Sequence, residues 1–127
     1  MQQTSSGRPE VLIKAPQSSI VAALVNKAID NGYTIVAQTD YSLQFRRPLA
    51  QQEVMAASFI VGNAYSNNSR WLNYSFTKSG KAVRVVASSE LQAEMVGGQI
   101  NRKSLDANNA LFNAHQRLLN DLKIQLE

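Results

Sequence analysis

The stretch that most limits how this chain can fold is "RWLNYSFTKSGKAVRVVASSEL", residues 70–91. Apolar and polar residues alternate on both sides of Ser79-Gly80, and that alternation has the period of a strand with one buried face. A turn at Ser79-Gly80 sets Lys78 opposite Lys81, Phe76 opposite Val83, Tyr74 opposite Val85 and Leu72 opposite Ala87. Thr77, Ser75, Asn73 and Arg84 then share the other face. A one-residue slip would mix the two sets, so an antiparallel hairpin with a single apolar side is expected here.

The rest of the chain supplies partners for that side. "EVLIKA" (10–15) reads as a short strand closed by Pro16. From Ser18 the spacing becomes helical, with Val21, Leu24, Val25, Ala28 and Ile29 on one face, Ser18 and Ser19 as caps, and Asn31-Gly32 as the stop. Strands are expected at 33–38 and 42–47, joined across Thr39, Asp40 and Tyr41 and ended by Pro48. Another is expected at 54–61, followed by the polar loop "GNAYSNNS". "MVGGQINRK" reads as a loop, and a long helix is expected from Ser104. Its core stripe is Ala107, Leu111, Ala114, Leu118 and Leu122, and Phe112, Leu119 and Leu126 form a second apolar edge that either packs on the same sheet or binds a partner. The expected fold is a two-layer α+β domain over residues 10–127, an antiparallel meander of five or six strands with both helices on one face. Residues 1–9 read as a flexible, tether-like lead.

Length and charge narrow the function. A chain of 127 residues is one domain's worth. With 13 Lys+Arg against 9 Asp+Glu the net charge is only +4, too little to favour a broad phosphate-tracking surface. Only 17% of residues are charged, whereas Ser (13), Asn (11) and Gln (11) are abundant. That weakly charged, hydrogen-bonding surface leans toward an extracytoplasmic bacterial protein. "MQQTSSGRP" suits an exported domain whose signal, and a lipidated first residue, have been replaced by Met1; it also suits a cytosolic start. The absence of cysteine leaves no disulfide or thiolate metal site.

Little in the sequence looks like catalysis. Arg46 and Arg47 are adjacent in "SLQFRR", so strand alternation points them to opposite faces, Arg47 with Leu43 and Phe45, Arg46 with Ser42 and Gln44. The reading preferred for the pair is the solvated end of a hairpin. Arg46, Trp71, Asn73 and Arg84 are the candidates for an outer interaction surface, the minimal platform for stacking single-stranded bases; Phe112 and Leu119 are the candidates on the last helix. His115 has no nucleophile or co-ligand nearby in sequence and reads as a flank residue of that helix. Glu90 and Glu94 separate if their segment is a strand. "GGQINRKS" matches part of a phosphate-binding loop, but Arg102 stands where a second glycine is needed and an antiparallel sheet offers no strand-helix unit of that kind. Arg102, Lys103 and Ser104 remain candidates for holding an anion at the start of the last helix. No cofactor and no catalytic residue is expected.

The element order resembles the helix-grip arrangement of START-like lipid carriers and TATA-box-binding-protein-like domains. Among envelope proteins it resembles the domains of lipoprotein component C of the β-barrel assembly machinery. "EVLIKAP", "AIDNGYTIVAQTDYSLQFRRP", the Ser79-Gly80 hairpin and the helix from Ser104 carry the likeness. The likeness implies two functional classes, a surface that binds other proteins or a sheet and helix that hold an apolar guest. The expectation drawn is a non-catalytic, exported, periplasmic protein-interaction module, tethered to the outer membrane through a lipid anchor and acting with envelope protein partners. The alternatives are a carrier of a small apolar ligand between the last helix and the sheet, and a single-stranded nucleic-acid binder. The apolar side chains of sheet and helices suffice to fill the interior without a guest, while Ala56, Ala57 and Ala87 leave room for a modest pocket, in which Tyr74 is the one polar group placed.

Overall fold

The computed structural model describes residues 7–48, 66–94, 100–104 and 109–127. The elements run β1 (Glu10–Ile13), α1 (Gln17–Asp30), β2 (Thr34–Gln38), β3 (Ser42–Pro48), β4 (Ser66–Ser79), β5 (Ala82–Glu94), β6 (Ile100–Ser104) and α2 (Asn109–Leu126). The expected strand at 54–61 and the helical position Ala107 lie outside the described residues. All pairings are antiparallel: β2, β3, β4 and β5 form a meander, and the far edge of β5 takes β1 along Val83–Val86 and β6 along Glu90–Glu94. Both helices contribute to one core on one side of the sheet, so the α+β architecture is the expected one.

The central hairpin turns at Gly80-Lys81, one residue later than the alternation suggested, with Ser79 opposite Ala82. Gly80 has φ +61°, a conformation that costs a side-chain-bearing residue energy and glycine little. The pairs move by two positions, to Phe76 with Val85, Tyr74 with Ala87 and Leu72 with Ser89. An even shift preserves the faces, so Phe76, Tyr74, Val83, Val85 and Ala87 are all buried as expected. Strand β4 already begins at Ser66, inside what read as a loop, and "INRKS" is strand β6.

Helix α1 starts at Gln17 behind Pro16, and no side chain caps it, so Ser18 and Ser19 lie within its first turn. Proline suits this edge because it has no N–H to leave unpaired. At the other end the Gly32 N–H donates to the Ile29 carbonyl and the Tyr33 N–H to the Ala28 carbonyl. This is the paired closure of a Schellman motif, made with Gly32 at φ +85°. It reverses the chain and brings Tyr33 back beneath the helix, 7% exposed. The buried stripe of α1 is Ile20, Leu24 and Ala28, whereas Ile29, expected inside, is 57% exposed.

Helix α2 is rotated relative to the expected stripe. Phe112, His115, Gln116, Leu119 and Leu122 are its buried residues, and Ala114 is exposed. The reason is an anchor along β1: the Gln116 side chain accepts from the Glu10 N–H at 2.9 Å and donates to the Glu10 carbonyl at 2.7 Å. Lys123 Nζ donates to the Leu12 carbonyl and Glu127 accepts from the Lys14 N–H. These bonds satisfy the free edge of β1 as a strand would, and they fix which face of α2 looks inward. Pro9, read as part of the lead, is fully buried, and its carbonyl accepts from the Ala87 N–H.

Candidate functional site

Strand alternation places two arginines on the buried face. Arg47 follows Leu43 and Phe45 on β3, and Arg70 precedes Leu72, Tyr74 and Phe76 on β4. The register sets Arg47 directly opposite Arg70. The Arg47 guanidinium stacks over the Tyr33 ring at 5.0 Å from its centroid, so the Schellman turn of α1 and the end of β3 meet there. The solvated-end reading therefore describes Arg46 and not Arg47.

Between this cationic end of the sheet, α1 and α2 lies a cavity of about 260 Å³. Leu24, Ala28, Leu72 and Leu118 form its apolar wall, and Arg47, Arg70, Tyr33, Tyr74 and His115 its polar one. Lys27, Asn31 and Ala114 complete the lining; Asn31 and Ala114 are exposed, which marks where the cavity reaches solvent. The interior is thus not filled throughout, although the apolar side chains suffice in volume to close it. No carboxylate lines the cavity among the described residues.

At the floor, His115 Nε2 and the Tyr74 hydroxyl are 2.8 Å apart, with the rings edge-to-face at 5.3 Å. Phe45 packs edge-on against Tyr74 at 6.0 Å. Burial pushes the His115 imidazole down to about 4, and the nearby Arg70 charge adds to the effect. Burial likewise raises the Tyr74 phenol well above its ordinary value, Tyr33 raises it further, and Arg70 opposes them. Both groups are neutral at pH 7 and act as a hydrogen-bonding pair. His115, expected on the helix flank, is 7% exposed. Sequence reasoning missed it because the rotation of α2 is set by the Gln116 anchor on a strand more than a hundred residues away.

The candidates on the outer face separate. Arg46, Trp71, Glu90 and Ser104 lie in one row across β3, β4, β5 and β6. The Arg46 guanidinium sits 5.9 Å from the Trp71 ring centroid, and the indole N–H donates to Ser69 Oγ. Asn73 is two residues along, opposite Gln44. Arg84 faces Thr77 and is ion-paired to Glu10 at 2.7 Å. It stands six residues from Glu90 along β5, roughly 20 Å, so it does not join Arg46 and Trp71 in one patch. Glu90 beside Trp71 further weakens an anionic-strand platform. Phe112 and Leu119 are 2% and 0% exposed and belong to the core, not to an interaction surface. Arg102, Lys103 and Ser104 lie on β6, not in the first turn of α2 as expected; Arg102 and Ser104 are exposed.

No protein-family model matches the chain, and no curated protein or solved structure matches it either.

Proposed function

We propose that the protein is a non-catalytic carrier that holds one small amphipathic molecule between α2, α1 and the sheet. The observation that supports this reading is the cavity itself, a gap of about 260 Å³ with an apolar wall on one side and a few convergent polar groups on the other. Ligand pockets have that construction, and their usual range of roughly 300–1,000 Å³ makes this one suited to a single short-chain guest. The resemblance to helix-grip carriers points the same way. A titration with a neutral naphthylamine dye, followed by displacement with medium-chain amphiphiles, tests the reading. Saturable binding at one molecule per chain is expected, and Ala114→Trp at the exposed mouth is expected to abolish it with the fold intact. Absence of saturable binding by dye and amphiphiles alike would end this reading.

A second reading, a protein-interaction module in an envelope assembly, draws support from β2. All five of its residues are exposed, and Ile35 and Val36 remain 45% and 46% accessible at the end of the described sheet. An edge of that kind accepts a strand from a partner. A photo-crosslinking residue at Val36, used in cells, is expected to give a discrete adduct with another protein; failure to form one would remove this reading.

A further inference from the structure

The ligand class follows from the charge inside the cavity, on the reading that the cavity binds a small guest. Opposed residues on one face of an antiparallel pair have Cβ atoms about 5 Å apart, and like charges in that position repel. Arg47 and Arg70 occupy such a position, on the buried face, lining the same cavity. The Nε of Arg70 is buried and has no hydrogen-bond partner among the described residues. Leaving a charged donor unsatisfied away from water is unfavourable, and a buried group in that state calls for a partner that the described residues do not provide. Lys27 lies on the same lining, and no described carboxylate does. An apolar guest alone would leave the Arg70 Nε without an acceptor. A guanidinium offers several donors in a planar fork that fits a carboxylate or phosphate.

We propose that the cavity takes a single-tailed organic anion, whose head group is held by Arg70 and Arg47 and whose chain lies along Leu72, Leu118 and Leu24. The Tyr74 hydroxyl and His115, neutral and paired with each other, bound the floor and supply no competing charge. The two sources of such a head group, a carboxylic acid and a phosphate monoester, share the recognition chemistry and differ in charge and size.

Isothermal titration of the full chain with octanoate, octyl phosphate and octanol separates the possibilities. At least one of the two anions is expected to bind at one per chain and at least tenfold more tightly than octanol, and the tighter anion identifies the head group. Arg70→Gln is expected to weaken the anion at least tenfold and octanol by a clearly smaller factor, while Arg70→Lys restores part of the loss. Circular dichroism of each variant verifies the fold, and Arg47→Gln provides a second variant should Arg70→Gln not fold. Octanol binding as tightly as both anions, or anion affinity that ignores both arginines, would overturn the anionic assignment and leave the carrier reading standing. No saturable binding of any of the three would remove both.

Discussion

The two ends of the buried layer share α1 and β4 and are filled in opposite ways. Toward the central turn, Ile13, Ile20, Phe76 and Val85 are 0–2% exposed and belong to one hydrophobic cluster. Toward the other end, the inward positions of β3 and β4 pass from Phe45 and Leu72 to Arg47 and Arg70, and the layer opens into the cavity. The difference teaches that alternation dictates which way a side chain points, and chemistry then decides whether the layers can close over it. Two guanidiniums cannot be packed dry against Leu24 and Leu118 without large desolvation, so the helices stand off them. Natural sequences break local consistency of this kind mainly where a function needs it.

The largest effect that would test the contrast is Phe76→Ala. At the dry end it deletes a fully buried ring, and about 3–5 kcal/mol of stability is expected to go. Leu72→Ala, half-buried at the wall of the cavity, is expected to remove less than about 2 kcal/mol. Urea unfolding of both variants gives the comparison, and equal losses would mean that the cavity end is packed as tightly as the other.

Acid sharpens the contrast, because the cavity end holds a buried titrating group. The folded protein keeps His115 neutral down to about pH 4, while the unfolded chain takes up the proton near 6.5. A depressed folded value for a histidine means that the unfolded state binds more protons in this window. Stability from this group is therefore intact above pH 6.5 and falls as the pH drops toward 4, by roughly 3 kcal/mol at most. Urea midpoints from pH 7 to 4 should show the decline, and His115→Gln should flatten it. An unchanged slope in that variant would place the acid sensitivity elsewhere.

These two tests also divide what the sequence disclosed from what it did not. The faces of β4 and β5 were readable because a period of two survives an error of two in register, so Phe76, Tyr74 and Val85 came out buried although the turn lies at Gly80-Lys81. The inward direction of Arg47 followed from Leu43 and Phe45 for the same reason. The site was not readable. It needs Arg70 opposite Arg47, a pairing between strands separated by residues 49–65, and no local pattern fixes a register across such a distance. His115 entered through the rotation of α2, which the Gln116 clamp on Glu10 decides. On α1, Ile29 was placed inside by spacing alone, but the Schellman turn puts Tyr33 under that end of the helix. Loop-like composition hid β6 because "INRKS" has no alternation of its own and forms as an edge strand on β5.

The smallest effect has the sign that most clearly distinguishes the two ends. Substituting a buried, well-packed residue in the dry half always lowers stability, whereas Arg70→Met at the cavity is expected to raise it in the absence of ligand. Met keeps the unbranched length and removes a charge that faces Arg47 and a buried Nε that lacks a hydrogen bond among the described residues. Relief of one opposed like-charge pair amounts to about 0.5 kcal/mol. The gain should appear as a higher urea midpoint with an unchanged slope, which locates it in stability and not in the compactness of the unfolded chain. With octanoate in excess the order should reverse, since binding to the folded state adds stability in proportion to the logarithm of ligand over its dissociation constant, and only the parent chain retains that term. A variant that is destabilised without ligand would show that Arg70 supports the fold as Phe76 does, and the two ends would then differ in composition but not in purpose.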